Sequence, residues 1–134
     1  RLLSRDGGVG LDVFIELATA DAEALGGGFG ALALEAYETL KLASDELKAL
    51  SGEQQKTDAS ATSFLALAGY AARVWGATRL AKLTGDDPAS KRLRIAGEYL
   101  ITGAPGKTKA WLEQMRADQN NAASMQEVLD FACN

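Results

Sequence analysis

The chain contains no histidine, which removes the side chain most used for proton transfer near neutral pH and the commonest metal ligand. Cysteine is nearly absent as well. A single thiol, Cys133, stands next to the last residue, so no intrachain disulfide can form, and without histidine it makes a poor nucleophile. Proline occurs only at positions 88 and 105, and β-branched residues are sparse. No apolar run approaches the roughly 18 residues that would cross a bilayer; the longest, Phe64 to Ala72, is about half that. Basic residues are outnumbered, with 14 Lys and Arg against 18 Asp and Glu. That balance weighs against general nucleic-acid binding, which needs an excess of cations to neutralise phosphates.

What is present favours helix. Ala, Leu, Glu and Lys abound, 47% of residues are apolar and 24% charged, enough for one core and a wet surface in 134 residues. The first helix is expected after the Asp6-Gly7-Gly8 turn, with Asp12, Glu16, Thr19 and Glu23 on a wet stripe and Val13, Phe14, Leu17 and Ala20 on the apolar side. Gly26-Gly27-Gly28 should stop it. The second helix carries a single seam, Leu32, Ala36, Leu40, Ala43, Leu47 and Leu50, at steps of three and four. Glu38, Lys41, Asp45 and Lys48 face outward, Ser51-Gly52 ends the helix, and Glu53 to Thr57 read as a polar linker.

The third helix is expected from Asp58 or Ser60 to Thr84. Between Phe64 and Ala77 it is apolar almost all round, with Arg73 the only charge, so it needs cover on more than one side. Gly69, Ala72 and Gly76 form a small-residue stripe that would admit a close neighbour. Asp87-Pro88 marks the start of the fourth helix, which is interrupted near Gly103-Ala104-Pro105-Gly106 and resumes through Trp111, Leu112 and Met115. A short last helix covers about Ala123 to Phe131. The fold predicted is all-α, an up-down-up-down four-helix bundle with a short extra C-terminal helix, forming one domain over residues 1–134.

Sequence motifs for chemistry are weak. Gly106-Lys107-Thr108 resembles the end of a P-loop, but Ile101 stands where the pattern needs glycine, and a helix rather than a strand precedes it. Gly26, Gly28 and Ala31 fit a loose dinucleotide fingerprint, again after a helix, and read better as an interhelical turn. Glu35, Glu38, Asp45 and Glu46 flank the leucine seam without occupying it and lack the histidines of a bundle metal site. Lys91, Arg92 and Arg94 form a basic cluster at the start of the fourth helix, with Asp86 and Asp87 upstream to balance it. Trp75 and Trp111 read as core or interface aromatics. No catalytic, cofactor-binding or metal-ligating residue is assigned.

Several segments, in order, resemble the C-terminal helical domain of the longer acyl-CoA dehydrogenases. They are Arg1-Leu2-Leu3-Ser4-Arg5-Asp6-Gly7-Gly8, Ser63 to Gly69 with Trp75-Gly76-Ala77-Thr78-Arg79, Arg94 to Tyr99 with Pro105, and Ser124-Met125 with Phe131. The chain departs from that pattern around Gly103 to Thr108, where two glycines weaken the helix. The resemblance implies a non-catalytic scaffold or interface domain. FAD, the acyl-CoA substrate and the α-proton-abstracting glutamate would then belong to preceding catalytic domains. Those domains or a second subunit, in a homo-oligomer, would be its partners. With Arg1 as first residue and no targeting signal behind it, the expectation is a piece of a longer cytoplasmic protein. The alternative is an independent binding module that contacts an anionic partner such as DNA through Lys91, Arg92 and Arg94.

Overall fold

The computed structural model describes residues 8–133; the expectations for the Arg1 to Gly7 run lie outside it. Six helices follow in order: α1 (Val9–Leu25), α2 (Gly27–Lys48), α3 (Gln54–Ala81), α4 (Pro88–Thr102), α5 (Ala104–Asn120) and α6 (Ala122–Cys133). Cross-links between them give their directions. The Lys48–Asp12 ion pair joins the end of α2 to the start of α1, so those two form an antiparallel hairpin. Tyr37 meets Thr78 across α2 and α3, and Ser63 meets Asp118 across α3 and α5. Helices α4 and α5 both run opposite to α3, one along each half, as two pieces of a single broken arm. The architecture is the expected up-down-up-down bundle, with α6 as the added C-terminal helix.

Alanine builds most of the interior. Ala18, Ala22, Ala33, Ala36, Ala77, Ala81 and Ala104 form one cluster with Tyr37, Val74 and Ile101. Leu11, Leu40, Phe64, Leu67, Leu112 and Met115 form a second with Ala43 and Ala71. Small side chains let helix axes approach, and at two crossings only glycine fits. A Cβ on Gly97 would lie 2.5 Å from the Ala77 carbonyl oxygen, and one on Gly30 would lie 2.6 Å from that of Ala22. The seam of α2 is buried or half-buried at all six positions. It is widened by buried Ala33, Tyr37, Thr39 and Ser44, because α2 touches α1, α3, α4 and α5.

Several boundaries and one face differ from the expectations above. Helix α2 begins at Gly27, and Gly26 and Gly27, at φ 65° and 63°, turn the chain between α1 and α2. Helix α3 begins at Gln54, taking in most of the supposed linker. Polar side chains brace its first turn: Gln54 Nε2 donates to Asp58, and the Thr57 hydroxyl donates to the Glu53 carbonyl. The helix ends at Ala81, not Thr84. On α1 the buried stripe is Leu11, Ala18 and Ala22, with Phe14, Ile15 and Leu25 half-buried. Val13, Leu17 and Ala20 face outward. Alanine loses little by burial but allows close packing, so an Ala-lined stripe won over the larger residues beside it.

Two buried features have measurable consequences. The Thr78 hydroxyl donates to the Val74 carbonyl at 2.8 Å, so its oxygen accepts the Tyr37 hydroxyl at 3.0 Å. Burial pushes the Tyr37 phenol up to about 12. A raised acid stabilises the fold fully below the ordinary tyrosine value of about 10, and that contribution is lost as pH rises from there through about 12. Unfolding followed against alkaline pH should show this loss in the native protein and a flatter curve in Tyr37→Phe. Because Thr78 keeps its bond to Val74, that variant should cost only about 1 kcal/mol at neutral pH. Gly97→Ala should cost about 1–3 kcal/mol in urea unfolding, since backbone rather than a flexible side chain opposes the new methyl group.

Candidate functional site

The basic cluster of α4 divides on folding. Asp87 caps the helix as expected, accepting the Ser90 N–H at 3.0 Å and the Ser90 hydroxyl at 2.7 Å, and these bonds hold its carboxyl below the usual range. Arg94 turns back and donates to the carbonyls of Leu83 at 2.7 Å and Gly85 at 3.4 Å. It therefore fastens the connection between α3 and α4 and is committed to that task. Lys91 and Arg92 remain exposed on the first turn.

Two of the four flanking carboxylates of α2 are likewise structural, while Glu38 and Asp45 are exposed. Glu35 pairs with Lys109 at 2.6 Å, and Glu46 takes Arg116 bidentately at 2.9 and 2.7 Å, tying α2 to α5. Among the described residues no three metal-ligating side chains converge. Trp75 wedges between α1 and α3. Its Nε1 donates to Asp21 at 2.6 Å, and its ring meets Phe14 edge-on with centroids 5.4 Å apart. Lys82 reaches the other Asp21 oxygen at 2.7 Å. The bonds from Lys82 and Trp75 lower the Asp21 carboxyl from its ordinary value. Trp111 is exposed on the rim of α5, and Cys133 is exposed at the end of α6.

A concave feature lies where the broken arm crosses α3. A groove of about 490 Å³ is lined by Tyr70 and Arg73 of α3, Ala96, Tyr99, Leu100 and Thr102 of α4, Gly103 at the break, and Lys107 of α5. The break has two causes. Gly103 ends α4, and Pro105 sits in the first turn of α5, where its missing N–H costs nothing. Gly106-Lys107-Thr108 thus opens a helix that follows another helix. Thr108 is buried, its hydroxyl donating to the carbonyls of Ala104 and Pro105, while Lys107 is exposed and swings into the groove.

Two cations converge on one ring there. The Arg73 guanidinium lies 5.8 Å and the Lys107 ammonium 5.6 Å from the Tyr70 centroid. Neither is paired with a carboxylate among the described residues, and no acidic residue lines the groove. Burial pushes the Tyr70 phenol up, and the Arg73 charge offsets part of that. Tyr70 and Arg73 are neighbours three residues apart on α3, but nothing in the linear sequence brings Lys107 to them. Arg73 stands out there as the lone charge in an apolar helix and Lys107 as part of a discounted motif, and only the bend at Gly103 makes them neighbours.

No family model matches the chain, and neither the curated proteins nor the solved structures contain a match. Among the described residues no helix is long and apolar enough to cross a membrane.

The division of the basic cluster is testable. Arg94→Met should lower stability by about 1–2 kcal/mol, by removal of a charged donor from two turn carbonyls. Lys91→Met and Arg92→Met should each stay within about 0.5 kcal/mol in the same urea titration.

Proposed function

We propose that this chain is a non-catalytic helical domain of a larger FAD-dependent acyl-CoA dehydrogenase. In this reading the bundle packs against the catalytic domains of the same polypeptide, which bind FAD and act on the acyl-CoA thioester. The observation that carries it is the outer face of α3. Leu65, Gly69, Ala72 and Gly76 repeat at steps of four, three and four and are all exposed, with Leu65 at 55%. A Cβ placed on Gly69 or Gly76 would meet nothing within 4 Å. The other helices touch α3 on its remaining sides, and this seam, spaced like the buried one on α2, has no cover within the described residues. Exposed Val9, Val13 and Leu17 on the neighbouring α1 add further apolar surface. An apolar surface of this kind marks an interaction site.

The ordered resemblance of segments along the chain supports the choice of parent, and the lack of histidine agrees with a scaffold rather than a reacting role. A single domain within a cytoplasmic flavoenzyme is the corresponding placement. Contact with DNA is the less supported alternative, since Arg94 is held by backbone carbonyls and only Lys91 and Arg92 are left to meet phosphates.

The natural polypeptide that contains these residues should purify with flavin absorbance that an acyl-CoA bleaches, whereas the 134-residue chain alone should retain no FAD. In the natural polypeptide Gly69→Arg or Ala72→Glu should disrupt packing of the bundle on its partner. In the isolated chain Ala72→Glu should alter stability by no more than about 0.5 kcal/mol, and Gly69→Arg should not lower it, since arginine is the better helix former by up to about 1 kcal/mol. A colourless natural polypeptide, or FAD held by the short chain, would overturn the reading.

A further inference from the structure

The groove at the break in the arm has a charge pattern that the scaffold reading does not use. Unpaired cations repel one another, and two held within 6 Å of one ring centroid are an arrangement that an anion between them relieves. They come from different helices. Gly103 presents bare backbone to the space; a Cβ there would touch only the end of the Lys107 chain at 4.0 Å. All this stands on a chain whose net charge is −4, so the local field opposes the overall one.

Apart from Thr102, the remaining side chains of the groove are apolar and aromatic. Ala96 and Leu100 line it, and Tyr99 stands 83% exposed beside them. An isolated inorganic anion would leave most of 490 Å³ unfilled, a volume within the usual range of small-molecule sites. A carboxylate would neutralise one cation, whereas a phosphate monoester carries close to two charges at neutral pH and can answer both.

We propose that this groove binds a phosphate monoester bearing a flat aromatic group, the chemistry of a nucleoside monophosphate. The phosphate lies between Arg73 and Lys107 near the start of α5, and the base stacks on Tyr99. The inference concerns the bundle by itself and does not depend on the identity of the parent enzyme.

Calorimetric titration of the 134-residue chain at low salt with adenosine monophosphate, adenosine and inorganic phosphate tests it. The monophosphate should bind, and each of the other two should bind about tenfold more weakly or less, because each retains only half of the contacts. Arg73→Glu and Lys107→Glu should each weaken the monophosphate by about tenfold or more, and Tyr99→Ala by about tenfold. Lys91→Glu, with the same charge change on an exposed site outside the groove, should stay within about twofold. All four positions are exposed, so helicity by circular dichroism should be unchanged. Should a glutamate variant lose helicity, Arg73→Gln and Lys107→Gln replace it with the same expected direction. Absence of monophosphate binding, inorganic phosphate binding as tightly as the monophosphate, or binding that survives the Arg73 and Lys107 changes would overturn the proposal.

Discussion

The closeness of the helices is the constraint on which the rest of this structure depends. Every other helix of the bundle touches α3, and they can all do so because the residues at the contacts are mostly alanine and glycine. Where α4 crosses α3, the Gly97 position is so near the Ala77 carbonyl that a methyl group does not fit. Where α1 turns into α2, Gly30 plays the same part against Ala22. Such packing buries little area per residue, so the larger side chains that remain, Tyr37, Leu40, Leu67, Ile101 and Met115, mark the points where the core has depth.

Crowding on one side of α3 has a consequence on the other. A helix apolar around most of its circumference would ordinarily be enclosed, yet here the seam from Leu65 to Gly76 faces outward. Polar ties absorb the charges elsewhere. Asp21 takes Trp75 and Lys82, Glu35 takes Lys109, and Glu46 takes Arg116. Each exposed pair contributes little stability by itself, but together they account for carboxylates that, left unpaired, would suggest a reactive cluster. Arg73, Arg79 and Lys107 each find an aromatic ring and no ion pair with a carboxylate, and Arg73 and Lys107 share theirs, Tyr70.

Local patterns anticipate much of this. The α2 seam, the Asp87-Pro88 start and the interruption at Gly103 are readable because each rests on spacing or on a backbone preference that acts within a few residues. The start of α3 is not, because polarity alone makes residues 53–57 look like a linker, whereas side-chain bonds four residues apart sustain the turn. The inward face of α1 is also misleading in sequence. Val13 and Leu17 are more apolar than Ala18 and Ala22, and hydrophobicity does not report which face can come closest to a neighbour. The groove is not legible at all, since Tyr70, Tyr99 and Lys107 lie on three helices.

By itself the chain's order of residues determined its helical class, the succession of its rods and where they break, because helix propensity, capping and glycine or proline stops act locally. Tertiary packing alone decided which stripe of α1 is buried, that Arg94 serves a turn rather than a partner, and that two lone cations share one tyrosine. Those outcomes depend on distances between different elements of the fold, and such distances exist only once the helices have docked.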